Sequence, residues 1–108
     1  MSKQAIPEQI KKQADEAVKG FNKKVLKDPN RYYTTRYKGN YLYLDRYDYG
    51  TVSQICRLKY TGSMDKWEFA IFKYSDERYD AEEWFFPGAG SVDGTIEGAM
   101  KAGLEAYP

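Results

Sequence analysis

Tyr32, Arg36, Tyr41, Tyr43, Tyr47, Arg57 and Lys59 are the residues whose types and spacing point to a binding surface. Phenol rings give rigid, flat contact area with a polar tip, which suits interfaces with proteins and ligands. Guanidinium groups lie on such rings by cation–π attraction and hold carboxylates or phosphates at their edge. Arg57 opposite Tyr41 is expected to make one such pair. Aromatic rings interleaved with basic side chains on an open sheet also hold single-stranded nucleic acid, through base stacking and phosphate contacts. Eight of the eleven tyrosines fall between positions 31 and 60. The plain alternative is that they only stabilise a sheet, because tyrosine has high strand propensity and aromatic cross-strand pairs are favourable.

Other chemistries have weaker support. The chain has no histidine, so the usual general base, metal ligand and triad member is missing. Cys56, the lone cysteine, falls in an apolar stretch and reads as a buried structural thiol. Asp76, Glu77, Asp80, Glu82 and Glu83 form an acidic cluster. Carboxylates alone can hold a hard cation, and a small metal-dependent enzyme is one alternative reading. Their spacing does not match the EF-hand loop, and a solvated turn protecting a strand edge explains them as well. Gly88-Ala89-Gly90-Ser91 resembles an anion loop before a helix, but it has neither the dinucleotide spacing nor the P-loop lysine. No cofactor is expected.

The elements that must position the tyrosines follow from periodicity. Ile6, Ile10, Ala14, Ala17, Val18, Phe21, Val25 and Leu26 make one apolar stripe at helical spacing, so a helix is expected over 7–26. Pro7 suits its first turn, and Asp28-Pro29 ends it. Its opposite face is charged, with Asp15 and Lys19 paired along it. Strands are expected over 31–37 and 41–48, joined by a two-residue turn at Gly39-Asn40 that pairs Lys38 with Tyr41. The next connection, Asp48-Tyr49-Gly50, decides the faces, because a one-residue slip exchanges them. Tyrosine is poorly suited to positive φ, so a three-residue loop is expected, pairing Tyr47 with Thr51, Tyr43 with Ile55 and Leu42 with Cys56.

That register assigns Tyr37, Leu42, Leu44, Val52, Cys56 and Leu58 to the core. It leaves Tyr32, Thr34, Arg36, Lys38, Tyr41, Tyr43, Asp45, Tyr47, Thr51, Ser53, Ile55, Arg57 and Lys59 on the other face. A two-residue turn would instead bury Tyr41, Tyr43 and Tyr47. Further strands are expected over 67–74 and 79–86, the first apolar on both sides. Pro87 ends the last strand. A second helix is expected over 92–106, carrying Gly94 and Gly98 beside an apolar stripe that includes Gly103. Close approach of another backbone or of a large aromatic, such as Trp84 or Phe86, would offset the glycines' cost of about 1 kcal/mol each.

The expected fold is therefore a single α+β domain over 1–108. An N-terminal helix precedes a five-stranded antiparallel meander and a C-terminal helix, with both helices on one sheet face. At 108 residues the chain can bury an adequate core without staples. The net charge of +1 divides into about +6 over 1–40 and −5 over 41–108. One cysteine, no apolar leader at Met1-Ser2-Lys3-Gln4 and no membrane-length apolar run give the expectation of a cytoplasmic protein with no membrane partner. The working reading is a non-catalytic interaction or ligand-binding module. It would use the tyrosine face to meet a protein partner, or a second copy in a homodimer. Single-stranded nucleic acid ranks second.

Overall fold

The structure, a computed structural model, describes residues 5–82 and 85–108. Met1 to Gln4, Glu83 and Trp84 lie outside the described residues, and with them the reading of the leader and of Trp84 as a glycine partner. The chain runs α1 (Glu8–Phe21), β1 (Arg31–Lys38), β2 (Tyr41–Asp48), β3 (Thr51–Lys59), β4 (Glu68–Lys73), β5 (Arg78–Asp80) and α2 (Ile96–Ala106). The five strands form one antiparallel meander in the order β1-β2-β3-β4-β5. Both helices pack on one face of it, as the sequence led us to expect.

α1 buries Ala14, Val18 and Phe21, the centre of the predicted stripe. After Phe21 the chain widens into a π-helical turn, Asn22–Leu26, and stops at Lys27 in the left-handed region. The wider turn carries Val25 off the stripe, and it is exposed. Asn22 uses this position to reach the outer edge of β1. Its amide oxygen accepts the Tyr33 N–H at 2.8 Å, and its amide nitrogen donates to the Tyr33 carbonyl at 3.0 Å. Asp15, expected to face solvent beside Lys19, instead accepts from the Tyr37 hydroxyl at 2.7 Å and the Thr35 hydroxyl at 2.9 Å. These bonds fix α1 against β1.

The β1–β2 hairpin closes as predicted, on Gly39 at φ 61°, with Lys38 opposite Tyr41. The next hairpin does not. It closes on two residues, Tyr49 at φ 49° and Gly50 at φ 97°, which pairs Asp48 with Thr51 and Tyr47 with Val52. The expected three-residue loop overestimated the obstacle at Tyr49. A left-handed L-residue costs about 1–2 kcal/mol. Here the Tyr49 N–H donates to the Asn30 carbonyl at 2.8 Å, and its hydroxyl bonds the Asp28 carboxylate. Those contacts offset the strain.

A two-residue turn alone would have inverted β3. A β-bulge at Ile55 restores it. Gln54 lies opposite Asp45, but Cys56 lies opposite Leu44, so Ile55 is the extra residue. Beyond the bulge Arg57 pairs with Tyr43, Leu58 with Leu42 and Lys59 with Tyr41. The pairs expected for Tyr47–Thr51, Tyr43–Ile55 and Leu42–Cys56 are therefore not formed. Residues 56–59 keep their expected faces, while 51–54 exchange theirs. Val52, expected in the core, is 64% exposed, and Ser53 lies opposite buried Arg46. Ile55, expected on the open face, is fully buried beside Cys56.

The core between sheet and helices gathers Leu42, Leu44, Ile55, Cys56, Leu58, Phe69 and Ile71 with Ile96, Ala99, Met100 and Ala102. Tyr33 crosses it, and its buried hydroxyl donates to the Met100 carbonyl at 2.8 Å. A Cβ at Gly103 would stand 2.5 Å from both the Tyr33 hydroxyl and the Ile55 side chain. Tyr33 and Ile55 thus account for this glycine, while Gly94 stands against the Asp65 backbone and Gly98 against the Ser91 backbone and the Asp93 side chain. Phe86 is not among their nearest neighbours and stacks on Phe69 at 5.8 Å. α2 starts later than expected, at Ile96. Asp93 accepts from the Thr95 N–H, and the Thr95 hydroxyl caps the Gly98 N–H at 3.0 Å. β4 is one residue shorter at each end than expected. β5 is much shorter, because the Asp80 side chain accepts the Glu82 N–H and turns the chain away.

The same substitution should have opposite effects at two glycines. Gly103→Ala should destabilise by about 1–3 kcal/mol through overpacking. Gly20→Ala, in α1 with open space around it, should stabilise by about 0.5–1 kcal/mol. Urea unfolding of the two variants checks both signs.

An alkaline limb follows from two phenols. Burial pushes Tyr33 and Tyr37 well above the usual tyrosine range, and hydrogen bonding to Asp15 adds to the effect at Tyr37. Their folded values exceed the unfolded value of about 10, so their contribution is complete below that pH and declines as pH rises beyond it. Stability measured across this range should fall, and the Tyr33→Phe and Tyr37→Phe variants should each flatten the fall.

Candidate functional site, an arginine–tyrosine sheet face

Strand alternation, with helix contacts through Tyr33, Tyr37 and the aliphatic core, turns Tyr32, Arg36, Tyr41, Tyr43, Tyr47, Arg57 and Lys59 away from α1 and α2. The face expected to be open is open, although the turn expected to create it is not present. Its residues divide into three groups.

At the centre, the Arg36 guanidinium lies 4.5 Å from the Tyr43 ring, and the Arg57 guanidinium lies 4.5 Å from the Tyr41 ring. The cation–π pair expected for Arg57 and Tyr41 is formed, but on the diagonal, because Arg57 lies opposite Tyr43. The two tyrosines are neighbours, with ring centroids 6.2 Å apart. Toward the Tyr49-Gly50 turn, Tyr32 and Tyr47 form a separate stacked pair at 4.9 Å. Lys59 stands at the margin, between Tyr41 and Glu68 on the flanking strands, and forms no ion pair among the described residues.

The sequence reading missed Tyr79, Gln54, Phe72 and Tyr74. Tyr79 comes from β5, opposite Phe72 of β4. Its ring meets Tyr43 at 5.3 Å and Phe72 at 4.9 Å, and Arg57 lies 5.4 Å from its centroid. Its hydroxyl accepts from Gln54 at 3.2 Å and, at 3.5 Å, from Arg36. Burial pushes the Tyr79 phenol up, and these two bonds draw it partly back. The signal in the sequence was the two-sided apolar pattern of β4. Phe72 faces the open side yet is buried there under Tyr74 and Tyr79.

The electrostatics separate the two central arginines. Arg36 is held at both ends of one carboxylate, its Nε 3.1 Å from Asp45 Oδ2 and its Nη2 3.2 Å from Oδ1. Arg57 has no carboxylate partner among the described residues. It borders a cleft of about 570 Å³ formed with Gln54, Phe72, Tyr74, Glu77, Arg78 and Tyr79. Across the cleft, Arg78 is engaged by Asp76 at 3.8 Å and Asp80 at 3.6 Å.

Of the other candidates, Cys56 is fully buried, and burial pushes its thiol up so that it stays protonated. Asp76 and Asp80 are paired with Lys73 and Arg78. Among the described residues no three potential ligands gather as a metal site would require. Gly88 packs against Ala102, and the 3₁₀ turn Ala89–Ser91 is separated from the start of α2. The Gly-rich segment therefore does not lead directly into a helix N-terminus.

Fold and site together define an α+β protein with one helix-covered sheet face and one aromatic, arginine-bearing face. Compared with protein-family models, curated proteins and solved structures, the chain matches none. No helix among the described residues is long and apolar enough to cross a membrane.

Asp45→Asn should cost about 1 kcal/mol, a value that allows for solvent screening of half-exposed Arg36. It should shift the Arg36 Nε resonance while leaving that of Arg57 in place. Denaturant titration and side-chain NMR test the two halves of this expectation.

Proposed function

We propose that this protein is a non-catalytic recognition module that binds a protein partner through the Tyr41–Tyr43–Arg57–Tyr79 surface. One observation carries the reading. Both helices cover the same side of the sheet, and the uncovered side presents partly exposed rings already locked by guanidinium groups. Rings fixed on strands lose little freedom on binding, which favours affinity. Buried aromatic and arginine anchors are also what dominate protein interfaces.

The charge pattern favours a protein over a nucleic-acid strand. Asp45 occupies Arg36, Glu68 flanks Lys59, and Glu77 lines the cleft. α1 packs on the opposite side of the sheet. Of its lysine-rich region, Lys19, Lys23 and Lys27 line a groove that reaches only Tyr32 at the β1 edge. A reducing, cytoplasmic setting belongs to this reading, supported by a lone cysteine that is buried and unpaired.

Peptides selected from a random display library should shift the amide resonances of Tyr41, Tyr43, Arg57 and Tyr79. Tyr43→Ala should weaken their binding about tenfold. Shifts confined to the helices would overturn the proposal. So would a single-stranded oligonucleotide that binds this face more tightly than any peptide, with steep salt dependence. Sedimentation of the free protein tests a second copy as the occupant. A dimer broken by Tyr43→Ala would replace the separate partner with self-association.

A further inference from the structure

The open face contains two arginine–tyrosine pairs side by side, and they differ in one component. Arg36 lies on Tyr43 at 4.5 Å, and its N–H edge is filled by Asp45 through two hydrogen bonds of 3.1 and 3.2 Å. Arg57 lies on Tyr41 at the same 4.5 Å, with Tyr79 as a second ring at 5.4 Å. Among the described residues, no acceptor bonds the Arg57 N–H groups and no carboxylate lies within ion-pair distance of them. We infer that the partner completes this second pair, and that what docks on Arg57 is a carboxylate of an extended acidic segment whose neighbouring apolar side chain enters the adjoining cleft. This inference rests on the protein-recognition reading above.

The chemistry of the site supports that choice of occupant. A guanidinium offers donors in a planar fork that matches a carboxylate. Stacking against two rings holds the fork in place before the ligand arrives, so little side-chain freedom remains to be lost. Lys38 and Lys59, with no ion-pair partner among the described residues, lie on the same face and raise the local positive potential. Beside Arg57 the cleft of about 570 Å³ has Phe72 at its base and Tyr74 and Tyr79 along its sides, which suits an aromatic or aliphatic side chain. Glu77 in the cleft lining, and the carboxylates that already occupy Arg78, oppose a dense polyanion. They leave room for an isolated carboxylate next to an apolar group, a pattern of attraction and exclusion that sets specificity.

A random peptide display library, selected on the intact protein, tests this. The enriched peptides should carry Asp or Glu within about two positions of an aromatic or aliphatic residue. Changing that acid to its amide should weaken binding to the wild-type protein about 10- to 100-fold. In Arg57→Gln the acid and amide forms should bind alike, and Arg57→Lys should restore the preference only in part. The peptide change is made on wild-type protein, so it remains decisive even if an Arg57 variant folds poorly. Peptides that shift the face resonances yet bind equally as acid and amide overturn the acidic partner and leave the recognition reading standing. A library with no peptide that shifts these resonances removes the recognition reading itself. Displacement of the peptide by a single-stranded oligonucleotide at equal concentration overturns the inference in favour of phosphate.

Discussion

A strand has two sides, and every strand of this sheet must turn its apolar side toward α1 and α2. β3 cannot do so in a single phase. Its turn with β2 is one residue too short for Cys56 and Leu58 to face the helices, and the bulge at Ile55 supplies the missing residue. The two departures offset each other, and the architecture depends on their coincidence. With the turn alone, Tyr41 and Tyr43 would stand opposite Leu58 and Cys56 instead of Lys59 and Arg57. With the bulge alone, Val52 would be buried and Ile55 exposed. Together they allow Ile55 and Cys56 to enter the core side by side, where Ile55 meets Gly103 of α2.

The alternation of β2 explains why one end of the core is closed by charge. It places Arg46 and Asp48 on the helix side. Buried Arg46 donates to Asp48 at 2.9 Å and to the Tyr107 carbonyl, and Arg31 donates to the other Asp48 oxygen at 2.6 Å. Burial alone would raise the Asp48 carboxyl. The two guanidinium groups outweigh it and hold the carboxyl below its usual range. A buried charge of this kind specifies an arrangement more than it adds stability, since either partner left alone would be costly. Here it links both ends of the first hairpin to the end of α2.

The contrast between the two hairpins shows how far local sequence reaches. Gly39-Asn40 states its own turn, because glycine removes the steric penalty and the flanking strands need nothing more. Tyr49-Gly50 does not, since what makes Tyr49 tolerable lies some twenty residues earlier at Asp28 and Asn30. Bulges likewise leave no mark in a single sequence. Tyr41, Tyr43, Arg36 and Arg57 were still legible as one face, because β1 and β2 alternate cleanly and the bulge returns residues 56–59 to phase. Tyr79, Gln54 and Phe72 were not legible as part of it. Their place depends on pairing across β3, β4 and β5, and no local pattern encodes that long-range register.

Asn22 has a consequence of another kind. β1 is an outer strand, eight residues long, and its free edge is a template on which a further strand could add. The Asn22 amide occupies the Tyr33 N–H and carbonyl as one residue of a sixth strand would, and then offers nothing onward. In the language of polymer growth it is a chain terminator. It takes the place of the next unit and carries no group with which to extend. The π-helical turn that it opens is then more than an irregular helix end, since the widened backbone sets a single side chain at the point where the sheet would otherwise continue.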